Sequence, residues 1–450
     1  MSCCLRFFFV IVVLTLSSCA GLEQVQPHLN TLMTQQQYDE ALQLINKDQA
    51  AYYGPKNELL FLLDRGLLLH LAQRYKESIQ DFEKAKRLYD DLYGHTFSEV
   101  AGSVLVNDYW KSYRGEDYEY VLVNVFQALN YASLDNLEEA LADVRNIDNQ
   151  LKLINARYNK NQKNVYRDDA FARLLGGALY EAQKNNEGLN DAYISNTKAL
   201  NVYESEYTKN YGQSVPLVLK QNLLTTANFM GSKESNEYRR KFTDVKVLLP
   251  QEKLQKAEVY LIEYTGFSPV KVADDIVVPV DLTHIVRLSF AKFVDRPSQV
   301  NSSLLAASSI KGVEIISPTQ VAEDIGNIAK KVLENRRGLL AAEALLRPMG
   351  KYVIEKVAEE SLRANHNDTG AAIVNILGDI YNIVSERADL RSWQTLPKEI
   401  RIARLLLDPG QYTLMVRDYN QMNMLVEEKN LGNVQLKAGQ KKFVVSRCYR

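Results

Sequence analysis

The sequence predicts an α+β protein: an α-solenoid of helix hairpins in the N-terminal half and a β-sandwich-like domain with a helical insertion in the C-terminal half. Two observations predict it. Up to residue 249, apolar and small residues recur at helical spacing in four separate places. Beyond Pro250 the period changes to two, as in half-buried strands, and such stretches lie on both sides of a further helical region. At 450 residues the chain is long enough for about three domains. Its 46% apolar and 24% charged residues suit a packed protein rather than a disordered one. Lys and Arg total 54 against 55 Asp and Glu, which leaves no basic footprint for nucleic acid.

The first element is a leader. Arg6 precedes the apolar run Phe7–Leu16, and Ser17, Ser18 and Cys19 follow. Ten helical residues cover about 15 Å, half of a roughly 30 Å hydrocarbon core, so the run suits a signal peptide rather than a span. Leu16-Ser17-Ser18-Cys19 resembles the lipobox of bacterial lipoproteins. The resemblance implies a signal peptide over 1–18, lipidation of Cys19, and, with Ala20 next, delivery to the periplasmic face of the outer membrane. The plainer reading is an ordinary signal peptide cut near Ala20.

Residues 19–249 form the expected helical domain. The stripes Tyr38-Ala41-Leu42-Ile45, Tyr75-Ser78-Ile79-Phe82, Leu137-Ala140-Leu141-Val144 and Leu189-Ala192-Tyr193-Asn196 share one set of offsets, with Asn196 the polar exception. Each follows a short polar stretch, and helical patterns precede at least two, as in Leu59–Leu67 and Leu122–Leu129. The unit is a helix hairpin. Tyr75-x2-Ser78-x3-Phe82-x2-Ala85 resembles the second helix of a tetratricopeptide repeat. Gly66 and Ala128, each nine residues ahead of its stripe, supply the small residue such hairpins need. The starts are spaced by 37, 62 and 52 residues, so an irregular bundle is the competing architecture. Within Asn107–Tyr120 the residues Tyr109, Trp110, Tyr113 and Tyr118 are candidate partner-binding anchors, because such rings bury area with few rotors. Packing between helices is the alternative.

The β domain is expected in two parts, 250–318 and 391–450. Glu258–Tyr264, Thr283–Phe290 and Val313–Ile316 read as strands in the first part. Glu399–Leu406, Tyr412–Val416, Leu431–Leu436 and Lys442–Ser446 do so in the second, with Asp408-Pro409-Gly410 as a turn. The insertion, 319–390, carries helical patterns over Val321–Leu333, Ala341–Ala358 and Ala371–Ala388.

The phrase Ala388-Asp389-Leu390-Arg391-Ser392-Trp393-Gln394-Thr395-Leu396-Pro397 is the most distinctive in the chain. With Tyr113-Arg114-Gly115-Glu116-Asp117-Tyr118-Glu119, it resembles a family of poorly characterised bacterial lipoproteins. That family joins a tetratricopeptide-like region to a β-containing one, and the resemblance implies an envelope location. Asp389 and Arg391 are expected to pair, and Trp393 to cover a helix-to-strand corner.

No reaction chemistry stands out. The patterns GxSxG, HExxH and GxxxxGK[ST] are absent from the sequence. Four cysteines, at 3, 4, 19 and 448, show no CxxC spacing, so neither a metal nor a cofactor is expected. The sequence therefore points to a lipid-anchored scaffold that binds an envelope protein and is not an enzyme. A peptidoglycan or glycan binder is the alternative, and an enzyme of unrecognised type the third reading.

Overall fold

The computed structural model describes residues 20–94, 111–158, 165–279, 285–337 and 387–450, with the single positions 357 and 360. The signal segment 1–18, Cys19, Tyr109, Trp110 and most of the helices expected over 341–358 and 371–388 lie outside the described residues. The rest is a mixed α+β structure, helical at first and strand-rich after residue 256.

Helices pair in order along the N-terminal half. The pairs are α1 (Ala20–Thr34) with α2 (Tyr38–Lys47), α4 (Glu58–Leu71) with α5 (Tyr75–Gly94), α6 (Asp117–Ser133) with α7 (Leu137–Arg157), and α8 (Ala170–Glu181) with α9 (Asn186–Val202). A short α3 (Gln49–Tyr52) lies between the first two pairs. One device closes all four hairpins. A single non-glycine residue adopts left-handed backbone two positions before the second helix: Gln36 (φ 58), Gln73 (φ 61), Asp135 (φ 56) and Lys184 (φ 60). A left-handed residue there ends the first helix and reverses the chain. Side-chain caps then start some helices, as where Asn136, Asp169 and Asn185 accept backbone N–H groups of their own first turns.

Small residues set the hairpin spacing. An added Cβ on Gly66 would stand 2.5 Å from the Phe82 ring. Gly177 holds the matching place in the fourth pair, against Asn196. That explains the polar exception: Asn196 is fully buried where the missing side chain leaves room. Gly66→Ala is expected to cost about 1–3 kcal/mol by overpacking, read as a lower urea midpoint at unchanged slope.

After α9 a π-helical turn (Tyr203–Tyr207) runs into α10 (Thr208–Tyr211), α11 (Leu217–Met230) and α12 (Ser232–Lys241). Pro250 opens a short helix, α13 (Pro250–Gln255), rather than a strand. The strands are β1 (Ala257–Thr265), β2 (Val270–Pro279), β3 (Ile285–Val294), β4 (Ser302–Ser309), β5 (Glu314–Pro318), β6 (Gln320–Asp324), β7 (Glu399–Leu407), β8 (Gly410–Tyr419), β9 (Leu425–Leu436) and β10 (Lys441–Cys448). Between β6 and β7 a helix, α14, covers 325–337. The pattern read as helical from Val321 therefore begins as strand β6, which pairs with β7.

Two four-stranded sheets result, ordered β10-β1-β7-β6 and β5-β4-β8-β9, with β2 and β3 as a separate hairpin. β1 runs parallel to β10 and antiparallel to β7. Every residue of β1 is buried because its two faces enter two cores. Ala257, Val259 and Leu261 join Leu305, Ala307, Leu405, Leu414 and Val416 between the sheets. Tyr260, Ile262 and Tyr264 join the helical core, so helices, first sheet and second sheet stack in three layers.

Candidate functional site

The two phrases singled out in the sequence meet in space. Residues 388–397, just ahead of β7, lie between the helices and the first sheet. Trp393 is 1% exposed, with its ring edge-on to Phe82 of α5 and Phe126 of α6 at centroid distances of 6.2 and 5.7 Å. Its backbone N–H donates to Glu119 Oε1 at 2.9 Å. Two residues on, Thr395 Oγ1 donates to Asp64 Oδ1 of α4 at 2.7 Å. Arg391 grips Asp389 with Nε and Nη2 at 2.8 and 2.7 Å, donates through Nη1 to Asn57 Oδ1 and the Lys111 carbonyl, and lies over the Tyr113 ring. From the sheet side, Ser268 N–H donates to the Leu396 carbonyl, and Arg296 donates to the carbonyls of Ser268 and Gln394. The segment is thus bonded on both sides, as a bound peptide would be.

The receptor is built locally by the second phrase. Gly115 takes φ 74, which brings Glu116 to the head of α6. Glu119 turns back within the first helical turn to accept the Glu116 N–H at 2.9 Å and the Tyr113 hydroxyl at 2.6 Å. Glu116 accepts from Lys271 of β2 and Arg336 of α14, each at 2.9 Å. Burial, and then the Glu116 charge, push the Glu119 carboxyl up to about 7. Burial likewise pushes Asp64 up to about 6 against the hydroxyls of Thr395 and Tyr53. Tyr113 and Tyr118 are 4% and 3% exposed, so they line this junction instead of displaying rings to a partner. Tyr113 lies under the Arg391 guanidinium, and Tyr118 lies edge-on to Tyr166.

Beneath Trp393 runs a buried polar chain. Asn130 Nδ2 donates to Ser78 Oγ at 2.9 Å, and Ser78 donates to the Gly66 carbonyl at 2.7 Å. The amide oxygen of Asn130 lies 2.6 Å from His70 Nδ1, and the Tyr264 hydroxyl lies 3.1 Å from His70 Nε2. This pattern assigns the proton to Nδ1 and leaves Nε2 to accept. Burial lowers the His70 pKa to about 4, although the Asn130 bond opposes the shift. A histidine so depressed adds stability above its ordinary value of 6.5 that is lost as the pH falls toward 4. In proton NMR, the His70 ring signals are expected to stay fixed from pH 8 to 5 while an exposed histidine titrates; co-titration near pH 6.5 would contradict the burial.

A second polar knot ties helices to strands. Lys253 Nζ stands 2.6 Å from Glu181 and 3.1 Å from Glu258, Arg404 stands 3.1 Å from Glu258, and Lys441 reaches both acids. All five side chains are between 3% and 6% exposed. Burial opposes ionisation of Glu258, yet the three cations hold its carboxyl well below the usual range. Burial lowers Lys253 to about 8 against the pull of both acids.

The surface of α7, α8 and α9 carries an open cleft of about 130 Å³, lined among others by Asp148, Arg173, Asp191, Ile194 and Lys198. Small-molecule sites usually run to roughly 300–1,000 Å³, so the cleft suits a side chain or two of a partner. Arg173 is braced by Asp148 and Asp168, while Ile194 is 45% exposed. The sequence reading missed this cleft and the acids Asp64 and Glu119. Their signal was a charge inside an otherwise apolar helix stretch, as in Leu62-Leu63-Asp64. No protein-family model matches the chain, and no curated protein shows significant similarity to it.

Proposed function

We propose that the protein is a lipid-anchored scaffold of the bacterial envelope that binds a protein partner and catalyses no reaction. In this reading the four hairpins form a tetratricopeptide-like solenoid and the two packed sheets a β-sandwich. The observation that carries it is a left-handed residue at the same place in all four hairpins, with Gly66 and Gly177 at matched places in two of them, a repetition that suits stacked repeats with a binding surface. The chain's own segment 388–397 already fills one helical face. The cleft on α7–α9 is therefore the surface offered to a partner.

Attachment is assigned to lipid on Cys19, directly ahead of α1. Among the described residues, no helix is long and apolar enough to cross a membrane. A protein partner is favoured over peptidoglycan because the aromatic rings of the described strands are buried or half-buried, Tyr412 and Phe443 among them.

Two measurements test the proposal. Cys19→Ala is expected to abolish metabolic labelling with palmitate and to move the protein out of the membrane fraction; retained label would refute the anchor. Affinity capture from solubilised envelopes with wild type and with Ile194→Asp/Lys198→Glu is expected to retain one defined set of proteins only with wild type. The same set on both would refute the cleft, and retention on cell-wall sacculi instead would favour the glycan reading.

A further inference from the structure

The layer between the two sheets is apolar along most of its length and acidic at one end. On β1 the row Ala257, Val259, Leu261 continues to Glu263, and on β8 the row Leu414, Val416 continues to Asp418. Both acids are buried, at 0% and 2% exposure. Their carboxyls meet each other. Glu263 Oε1 and Asp418 Oδ1 accept nothing from any N–H or hydroxyl among the described residues. Two facing carboxylates in a dry layer repel unless a proton or a cation lies between them.

Two more donors complete the group. Glu427 of β9 and Cys448 at the end of β10 place one ligand atom each, with one from Asp418, all within 4.8 Å of one another. Cys448 Sγ lies 3.2 Å from Glu427 Oε2. Two cations, Lys429 and Arg401, act on these acids from a distance while their hydrogen bonds go elsewhere. Lys429 donates to Gln36 Oε1 at 2.8 Å, and Arg401 to Thr319 and Glu399 at 3.0 Å each. Gln36 in turn donates to Glu427 Oε1 at 3.0 Å, a support that fixes that carboxylate.

We propose that Asp418, Glu427 and Cys448 form a divalent-cation site of the zinc type, with Glu263 as fourth donor. One thiolate and carboxylate oxygens suit this ion, at bond lengths of about 2.3 and 2.0–2.2 Å. The ligand atoms of Asp418, Glu427 and Cys448 already lie within 4.8 Å of one another, and Glu263 turns in from its contact with Asp418. Binding displaces the thiol proton and the proton held between the two buried acids, and both leave to water. Glu427 is half-exposed and gives the ion its entrance. The bound ion ties β8, β9 and β10 to β1 and pins the C-terminal strand.

The test uses the full-length chain, purified in detergent, stripped with chelator and titrated with Co²⁺ and then Zn²⁺. One Co²⁺ per chain is expected, with a thiolate-to-cobalt charge-transfer band that Zn²⁺ abolishes. Cys448→Ser is expected to lose the band, and Asp418→Asn to weaken binding at least tenfold. Failure of wild type to develop the band overturns the site, as does binding that both variants retain. Should a variant not fold, the wild-type band and its displacement by Zn²⁺ decide alone. Acid stabilisation of wild type without any cobalt response assigns the pair to a shared proton and rejects the ion.

Discussion

Trp393→Ala is expected to lower the stability of the native state by about 3–5 kcal/mol, the range for removing a fully buried large aromatic side chain. The indole fills the space between Phe82, Phe126 and the first sheet, and two edge-on ring contacts are lost with it. The loss is felt on both sides, because the same segment carries the bonds from Glu119, Asp64, Ser268 and Arg296. Urea unfolding followed by circular dichroism measures it. Trp393→Phe keeps a ring in place and is expected to lose less than half as much. Equal effects of the two variants would show that the indole's size does not hold the junction.

Glu258→Gln is expected to cost about 3–5 kcal/mol, whereas Lys253→Met costs under about 1 kcal/mol. The difference follows from charge. Lys253, Arg404 and Lys441 surround Glu181 and Glu258, three cations against two anions. Removing Glu258 leaves three buried cations facing one acid. Removing Lys253, whose pKa burial already lowers, leaves two against two. The pH dependence has the matching sign: with its native value depressed, Glu258 stabilises above its ordinary 4.5 and loses that contribution as the pH falls below it. Paired urea melts of wild type and both variants measure the order, and a larger loss for Lys253→Met would contradict it.

Most helices and strands were legible because their periods are local. Tyr75–Phe82 and Leu137–Val144 carry their stripes within one helix each, and Tyr412–Val416 alternates within one strand. The missed strands lack that signature. β2, Val270–Pro279, is interrupted by Asp274 and Asp275, β4, Ser302–Ser309, is built from Ser, Leu and Ala, and β6 has only five residues ahead of a helix. What no local pattern can show is pairing at long range. Glu119 and Trp393 are 274 residues apart, and the Arg391 guanidinium over the Tyr113 ring is similarly remote in the chain. The polar interruptions were visible all the same. Asp64 and His70 break an apolar helix, and Glu263 and Asp418 stand where alternation calls for apolar side chains. Each proved to be a bonded or clustered group, as burial of a charge demands.

The docking of 388–397 between helices and sheet ties the two halves together through bonds on both sides. Amide hydrogen exchange read by mass spectrometry tests this most directly. Peptides covering Ser392–Leu396 are expected to exchange as slowly as those of α6 and β1, because the Trp393 N–H is buried against Glu119. Exchange of that segment at the rate of an open loop, with α6 and β1 still protected, would contradict the account.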